Sequence, residues 1–223
     1  MIRALALDYG NVISEPQDTG CYARMAALSG LSEAFFREAF WRYRPAYDRG
    51  DIRGVEMYES ILAEAFGADD TPGSPGPAST RSLAATRALA EALLAEDLAS
   101  WLRVSRSVTD WARTLQGQGY SLAILSNMPH DFLERHGEGI HLFREADVAV
   151  FSCHVSQVKP ERAIYDTLIR RLGVKPSEIV FFDDMEANVA GARAAGINAF
   201  LWTGLERARE DWAAATGAQG SGV

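Results

Sequence analysis

The chain has 223 residues, 48% of them hydrophobic, with a formal net charge of −8 and an isoelectric point near 5.1. That suits one domain, or one with an insert, around a sizeable core. The acidity excludes general nucleic-acid binding, which needs basic surface, so a small phosphate ester would bind only at a local positive site such as a metal ion or a lysine.

Ile2–Leu7 is a short apolar run ending at Asp8-Tyr9-Gly10-Asn11, a buried strand followed by a turn. It is too short for a signal peptide or a membrane span, and no later stretch is long enough. From Thr19 to Phe66 the pattern is helical, with Ser32 as an N-cap, aromatics recurring at Phe36, Phe40, Tyr43 and Tyr47, and a break at Gly50-Asp51. Asp69–Thr80, rich in Pro, Gly and Ser, is a loop between helices. Helices are expected over Arg81–Trp101 and Val108–Gln116. Strands over Ser121–Leu125, Asp147–Phe151, Glu178–Phe182 and Ala199–Trp202 then alternate with helices over Pro160–Leu172 and Ala187–Ala195. Such alternation predicts a parallel α/β sheet. The long helical stretch before the second strand exceeds one crossover, so it is expected as a helical cap over 15–102, on a core of 1–14 and 103–210, with a fraying tail from 211.

Cys21 and Cys153 form no CxxC or paired framework, which supports neither a disulfide scaffold nor a zinc site and fits reduced thiols in a cytoplasmic protein. Chemistry concentrates where strands end. Asp8 is a candidate nucleophilic carboxylate. Ser126, with the backbone amide of Asn127, is placed to bind phosphoryl oxygens. Lys159, in a chain whose cations are mostly arginine, would offset the charge of a carboxylate and a phosphate. Asp183-Asp184 is an acidic pair whose repulsion a divalent cation would relieve. Open parallel sheets bind ligands at that edge.

In order, Asp8-Tyr9-Gly10-Asn11-Val12-Ile13, Leu125-Ser126-Asn127, Val158-Lys159-Pro160 with Ile164-Tyr165, and Phe181-Phe182-Asp183-Asp184 with Asn188-Val189 and Gly191-Ala192 resemble the four motifs of the haloacid dehalogenase (HAD) superfamily. The resemblance covers residues 1–205, in a helical-cap branch with a variant first motif. It implies a Rossmann-like three-layer core with a parallel five-stranded sheet and an inserted α-helical cap. The implied activity is a Mg2+-dependent phosphatase of a small phosphorylated metabolite, sugar phosphates included, working through an aspartyl-phosphate on Asp8 as a monomer or homodimer. Asp8, the Gly10 carbonyl, Asp183 and Asp184 would hold the metal, with Asp184 in direct or water-mediated contact or else orienting Lys159. Arg42, Tyr43, Arg44 and Tyr47 form a polar-aromatic cluster in which Arg44 or Arg42 would bind a sugar hydroxyl or a second anion, with Tyr47 beside Arg44 as a substrate-binding candidate, although an aromatic stripe is more often core than ligand wall. Trp41, Trp101 and Trp111 are expected as packing residues.

Gly10 departs from the superfamily's usual phosphatase pattern, which places a second Asp there as general acid and base. Its loss costs about 10²–10⁴ in rate unless the leaving group is good or another group serves. Tyr9, a metal-bound water and His130 are the alternatives, although His130 reads first as a surface histidine. Competing functions are a metal-free 2-haloacid dehalogenase, which the acidic pair disfavours, and a catalytically weak metabolite-binding protein on the same scaffold. A mutase ranks lower, since it too would want an acid–base residue at position 10.

Overall fold

The computed structural model describes residues 1–67 and 83–217; the expected Asp69–Thr80 loop lies outside them. Five strands, β1 (Ala4–Leu7), β2 (Ser121–Ser126), β3 (Val148–Phe151), β4 (Ile179–Asp183) and β5 (Asn198–Leu201), form one parallel sheet in the order β3-β2-β1-β4-β5. Strand alternation sorts the core. Leu5, Leu7, Leu122, Ile124, Val180 and Phe182 share one apolar cluster, and Ala4, Ala6, Ala123, Leu125, Ile179 and Phe181 share the other.

Helices α5 (Arg106–Gly117) and α11 (Leu205–Thr216) cover the first face, with Trp111 packed edge-on against Phe182 and Trp212. Helices α9 (Arg162–Leu172) and α10 (Glu186–Ala194) cover the second through Ile164, Leu168 and Val189. The chain order reverses at β1, which has β2 on one side and β4 on the other. In such sheets the crevice beyond the strand ends at that reversal is the binding position, and Asp8 and Asp183 both stand there.

Between β1 and β2 lie α1 (Gly20–Ser29), α2 (Glu33–Arg49), α3 (Gly54–Gly67) and α4 (Leu83–Ala99). Ser32 caps α2 by accepting from Phe35 N at 3.3 Å, and Gly50, at φ 85°, ends it. Tyr22 meets Phe40 edge-on at 5.5 Å, and Phe36 stacks on Tyr58. The connections into and out of this helical group run side by side, joined by the Ser14–Val104 bridge and by Ser105 N donating to Ile13 O. Its apolar residues share one continuous cluster with the first face of the sheet.

Three short helices were not expected from the sequence: α6 (His130–His136), α7 (His141–Glu145) and α8 (Ser152–Val155). Two expectations need correction. Helix α9 starts at Arg162 with Glu161 as its cap, so Pro160 precedes the first turn. Residues 211–216 belong to α11, because Trp212 is buried against Tyr120 and Trp111; residues 218–223 lie outside the described part. Among the described residues no helix is long and apolar enough to cross a membrane.

Candidate active site

Asp8 follows β1, its backbone N–H bonded to Phe182 O across the sheet and its Oδ1 accepting from Tyr9 N at 2.7 Å. Lys159, whose side chain is 1% exposed, donates to Asp8 Oδ1 at 2.9 Å and to Asp183 Oδ2 at 2.5 Å. The other Asp183 oxygen accepts from Met185 N and Asn188 Nδ2, both at 2.9 Å. Asn127 fixes the lysine's backbone from both sides, accepting from Lys159 N and donating to Lys159 O. Its side chain therefore positions the cation. Ser126, 2% exposed at the end of β2, lines the same cleft. Asp184 sits at the rim, where Asn11 Nδ2 donates to it at 2.8 Å.

The electrostatics follow from burial. It pushes the Asp8 carboxyl up to about 7, with Lys159 pulling down and Asp183 adding to the rise. Burial also favours the neutral amine of Lys159, but Asp183 and Asp8 outweigh it, so its pKa lies above the ordinary value. Asp184 is raised by burial, against the Asn11 hydrogen bond. One carboxylate oxygen each from Asp8, Asp183 and Asp184 lie within 4.8 Å of one another. Three convergent carboxylates against a single ammonium suit a hard dication that prefers oxygen donors.

Opposite these residues, a cleft of about 390 Å³ is walled by Trp41, Arg44, Asp48 and Trp101. Arg44 Nε donates to Asp48 Oδ1 at 2.7 Å, while its Nη1 stops 3.7 Å from Asp97 Oδ1, too far for a hydrogen bond. Arg44 Nη1, Asp97 Oδ1 and Trp101 Nε1 are buried without a hydrogen-bond partner. Burial pushes Asp48 up to about 6, with Arg44 opposing, and raises Asp97 as well. A Cβ at Gly10 would lie 3.2 Å from Trp101 Cζ3, so the indole crowds any side chain at position 10.

The structure thus gathers Asp8, Gly10, Ser126, Asn127, Lys159, Asp184 and Arg44 around one cleft, with Asp183 directly behind it. It does not bring Tyr47 there: that side chain is fully buried in the apolar cluster because it faces inward from α2. Arg42 lies on the outer face of α2, paired with Glu38 and Glu64. Tyr9 is no spare acid, since its hydroxyl donates to Trp101 O at 2.8 Å and burial raises its pKa. His130 stands beside His154 outside the cleft lining. Trp41, largely exposed, is a cleft wall rather than a packing residue; Trp101 walls the cleft and also packs against the apolar cluster, and Trp111 packs as expected. Sequence reasoning missed Asp48, Asp97 and Trp101. The i, i+4 spacing of Arg44 and Asp48 is a usable signal, as is Asp97 interrupting the apolar run Leu93-Leu94 to Leu98.

A profile of haloacid dehalogenase-like hydrolases matches residues 79–196. Bifunctional epoxide hydrolase 2 of Sus scrofa is 24% identical over 98% of this chain; the chain spans 39% of that relative's length. A phosphorylated carbohydrates phosphatase of Thermotoga maritima is 31% identical over 97 residues, covering 43% of this chain and 44% of the relative. A HAD family enzyme of Bacteroides thetaiotaomicron superposes with a TM-score of 0.71 at 17% identity, covering 94% of this chain and 98% of the other; its complex with magnesium and inorganic phosphate superposes at 0.66, covering 90% and 94%. A 2-haloacid dehalogenase of Pseudomonas syringae superposes at 0.62 and 18% identity, covering 91% and 86%. With the profile covering more than half of the residues, on a five-stranded parallel sheet of the same fold, the chain belongs to the haloacid dehalogenase-like hydrolases.

Proposed function

We propose that this hydrolase is a Mg2+-dependent phosphatase of a small phosphorylated metabolite, acting in the cytoplasm as a monomer or homodimer. The observation that carries the reading is Lys159 bridging Asp8 and Asp183 with Asp184 alongside. Asp8, the Gly10 carbonyl, Asp183 and Asp184 would hold the cation, whose chemistry there is to neutralise charge between the phosphoryl group and the carboxylates. Asp8 attacks phosphorus as the ester P–O bond breaks, giving an aspartyl-phosphate and an alkoxide that takes a proton. Water then cleaves the acyl-phosphate and restores Asp8. Lys159 reduces repulsion between the attacking carboxylate and the phosphate, while Ser126 and the Asn127 amide bind phosphoryl oxygens.

The substrate's other end meets Arg44 flanked by Asp48 and Asp97, a trio of net charge −1 when ionised. That repels a second phosphate and leaves donors and acceptors for hydroxyls, as on a sugar monophosphate. The phosphatase reading agrees with the name of the Thermotoga relative.

Purified protein should release phosphate from a panel of phosphorylated metabolites, and EDTA or Asp8→Asn should remove at least about 10⁴ of the rate. Activity surviving both overturns the mechanism. A dehalogenase reading has the solved dehalogenase of the same fold behind it, and metal-independent halide release from 2-chloropropionate would favour it. Trp101 over Gly10 motivates a third reading, a weakly catalytic metabolite binder. Metabolite binding without phosphate release, and without beryllium fluoride trapping on Asp8, would favour that one.

A further inference from the structure

His130, Cys153 and His154 do not line the cleft, and the reaction proposed above does not use them. We propose that they form a second metal centre, for a borderline or soft cation such as Zn2+. One imidazole nitrogen from each histidine and Cys153 Sγ all lie within 4.8 Å of one another. No CxxC-type spacing announces the cluster; the sheet assembles it. Strands β2 and β3 are neighbours, with Ser126 beside Phe151, so the segments leaving their ends run together. His130 opens α6 after β2, and Cys153-His154 sit in α8 after β3. Ser152 Oγ accepts from Met128 N at 2.8 Å and ties the two segments.

The donor chemistry selects the ion. Two imidazoles and a thiol match Zn2+ or Co2+ and are poor ligands for Mg2+, which suits the carboxylate centre instead. Tetrahedral bonds of about 2.0–2.3 Å put ligand atoms roughly 3.3–3.8 Å apart, a contraction that side-chain rotation can supply because His154 is exposed and His130 half-buried. Among the described residues neither imidazole hydrogen-bonds to the protein. The charged groups around Cys153 are Asp48, Arg53 and Glu134, and around His154 they are Arg171 and Glu134. Glu134 is already held by Arg53 Nη2 at 2.8 Å through both carboxylate oxygens, leaving three protein donors and an open fourth position.

Binding must deprotonate the thiol, which burial pushes up to about 12. The S–H bond breaks, its proton goes to solvent and the sulfur–metal bond forms. The imidazoles bind as neutral donors, and partial desolvation already lowers the pKa of His154. Gly50 closes over the cluster, where a Cβ would lie 3.0 Å from His130 Nε2 and 3.1 Å from Cys153 Cα. Ser152 also bonds Asp48 O. A cation here therefore sits under the end of the helix that carries Arg44 and Asp48 into the cleft.

The test is Co2+ titration of the chelator-stripped full chain in excess Mg2+, which saturates the carboxylate centre. A thiolate-to-cobalt charge-transfer band should grow to one equivalent with release of one proton. It should vanish in Cys153→Ser, persist in Cys21→Ser, and require about 10–100-fold more Co2+ in His130→Ala and in His154→Ala. Mg2+-dependent turnover by Cys153→Ser, with unchanged circular dichroism, would show that the variant is folded. Absence of the band in wild type at any Co2+ concentration the protein tolerates overturns the proposal, as does a band that survives Cys153→Ser.

Discussion

On the sheet side of the cleft, Asp183 places Oδ1 on Met185 N and Asn188 and Oδ2 on Lys159, and Lys159 reaches Asp8 as well. On the helical side, Arg44 Nη1, Asp97 Oδ1 and Trp101 Nε1 are buried without a hydrogen-bond partner. Every buried unpartnered side-chain polar atom among the described residues lies between Tyr22 and Trp101. A buried polar group left unsatisfied costs about 1–3 kcal/mol, so the helical side holds a debt that a hydroxylated ligand would relieve. On the sheet side the charged groups already have their partners.

The largest test of that contrast removes the cation from the finished side. Lys159→Met leaves Asp8 and Asp183 buried and uncompensated, and breaking a buried ion pair this way costs about 3–5 kcal/mol. Urea unfolding should show that loss, with turnover down by at least about 10³. Mg2+ should recover part of the stability, because a ligand that binds only the folded state raises its population. A stable variant would mean that the carboxylates do not depend on Lys159.

The contact between the two sides gives the next test. Gly10→Asp alone drives a Cβ to 3.2 Å from Trp101 Cζ3, and crowding of that kind costs about 1–3 kcal/mol. The variant should gain no rate while retaining Mg2+-induced thermal stabilisation. Combined with Trp101→Leu, which opens the space, Gly10→Asp should raise kcat about 10²-fold over Trp101→Leu alone, the usual worth of a general acid. A gain in the single variant would show that the indole is not the obstacle.

The same division explains what the sequence reveals. Asp8, Ser126 and Asp183 each end an apolar strand run, and a parallel sheet brings such ends together without further information. Ser32 and Gly50 mark their helix ends by local chemistry. The i, i+4 pair Arg44 and Asp48 and the break that Asp97 makes in an apolar run flag single residues, but their meeting with Trp101 depends on α2, α4 and the turn after β1 packing together, which no local period encodes. Trp212 was legible in principle, since an aromatic among small residues signals burial, yet the alanines around it read as a tail.

On the unfinished side, Asp97→Asn removes one of the two carboxylates flanking Arg44. The trio becomes neutral, so discrimination against a second phosphate should relax. The kcat/KM ratio of a sugar bisphosphate to its monophosphate should rise about tenfold, equivalent to roughly 1.4 kcal/mol. An unchanged ratio would place the second half of the substrate away from this trio.

The smallest effect belongs to Ser32→Ala, at the far end of α2. The cap accepts from Phe35 N, and its loss should cost about 1 kcal/mol, lowering Tm by roughly 2–4 °C in a protein of this size. Arg44 lies about three turns further along the helix, and fraying at a helix end does not propagate that far when Phe36 and Phe40 are buried between them. KM should therefore stay within about twofold. If it rises with the loss of stability, recognition and helix stability draw on the same contacts, and the atoms around Arg44 that lack hydrogen bonds are held in place by the whole helical group rather than by their immediate neighbours.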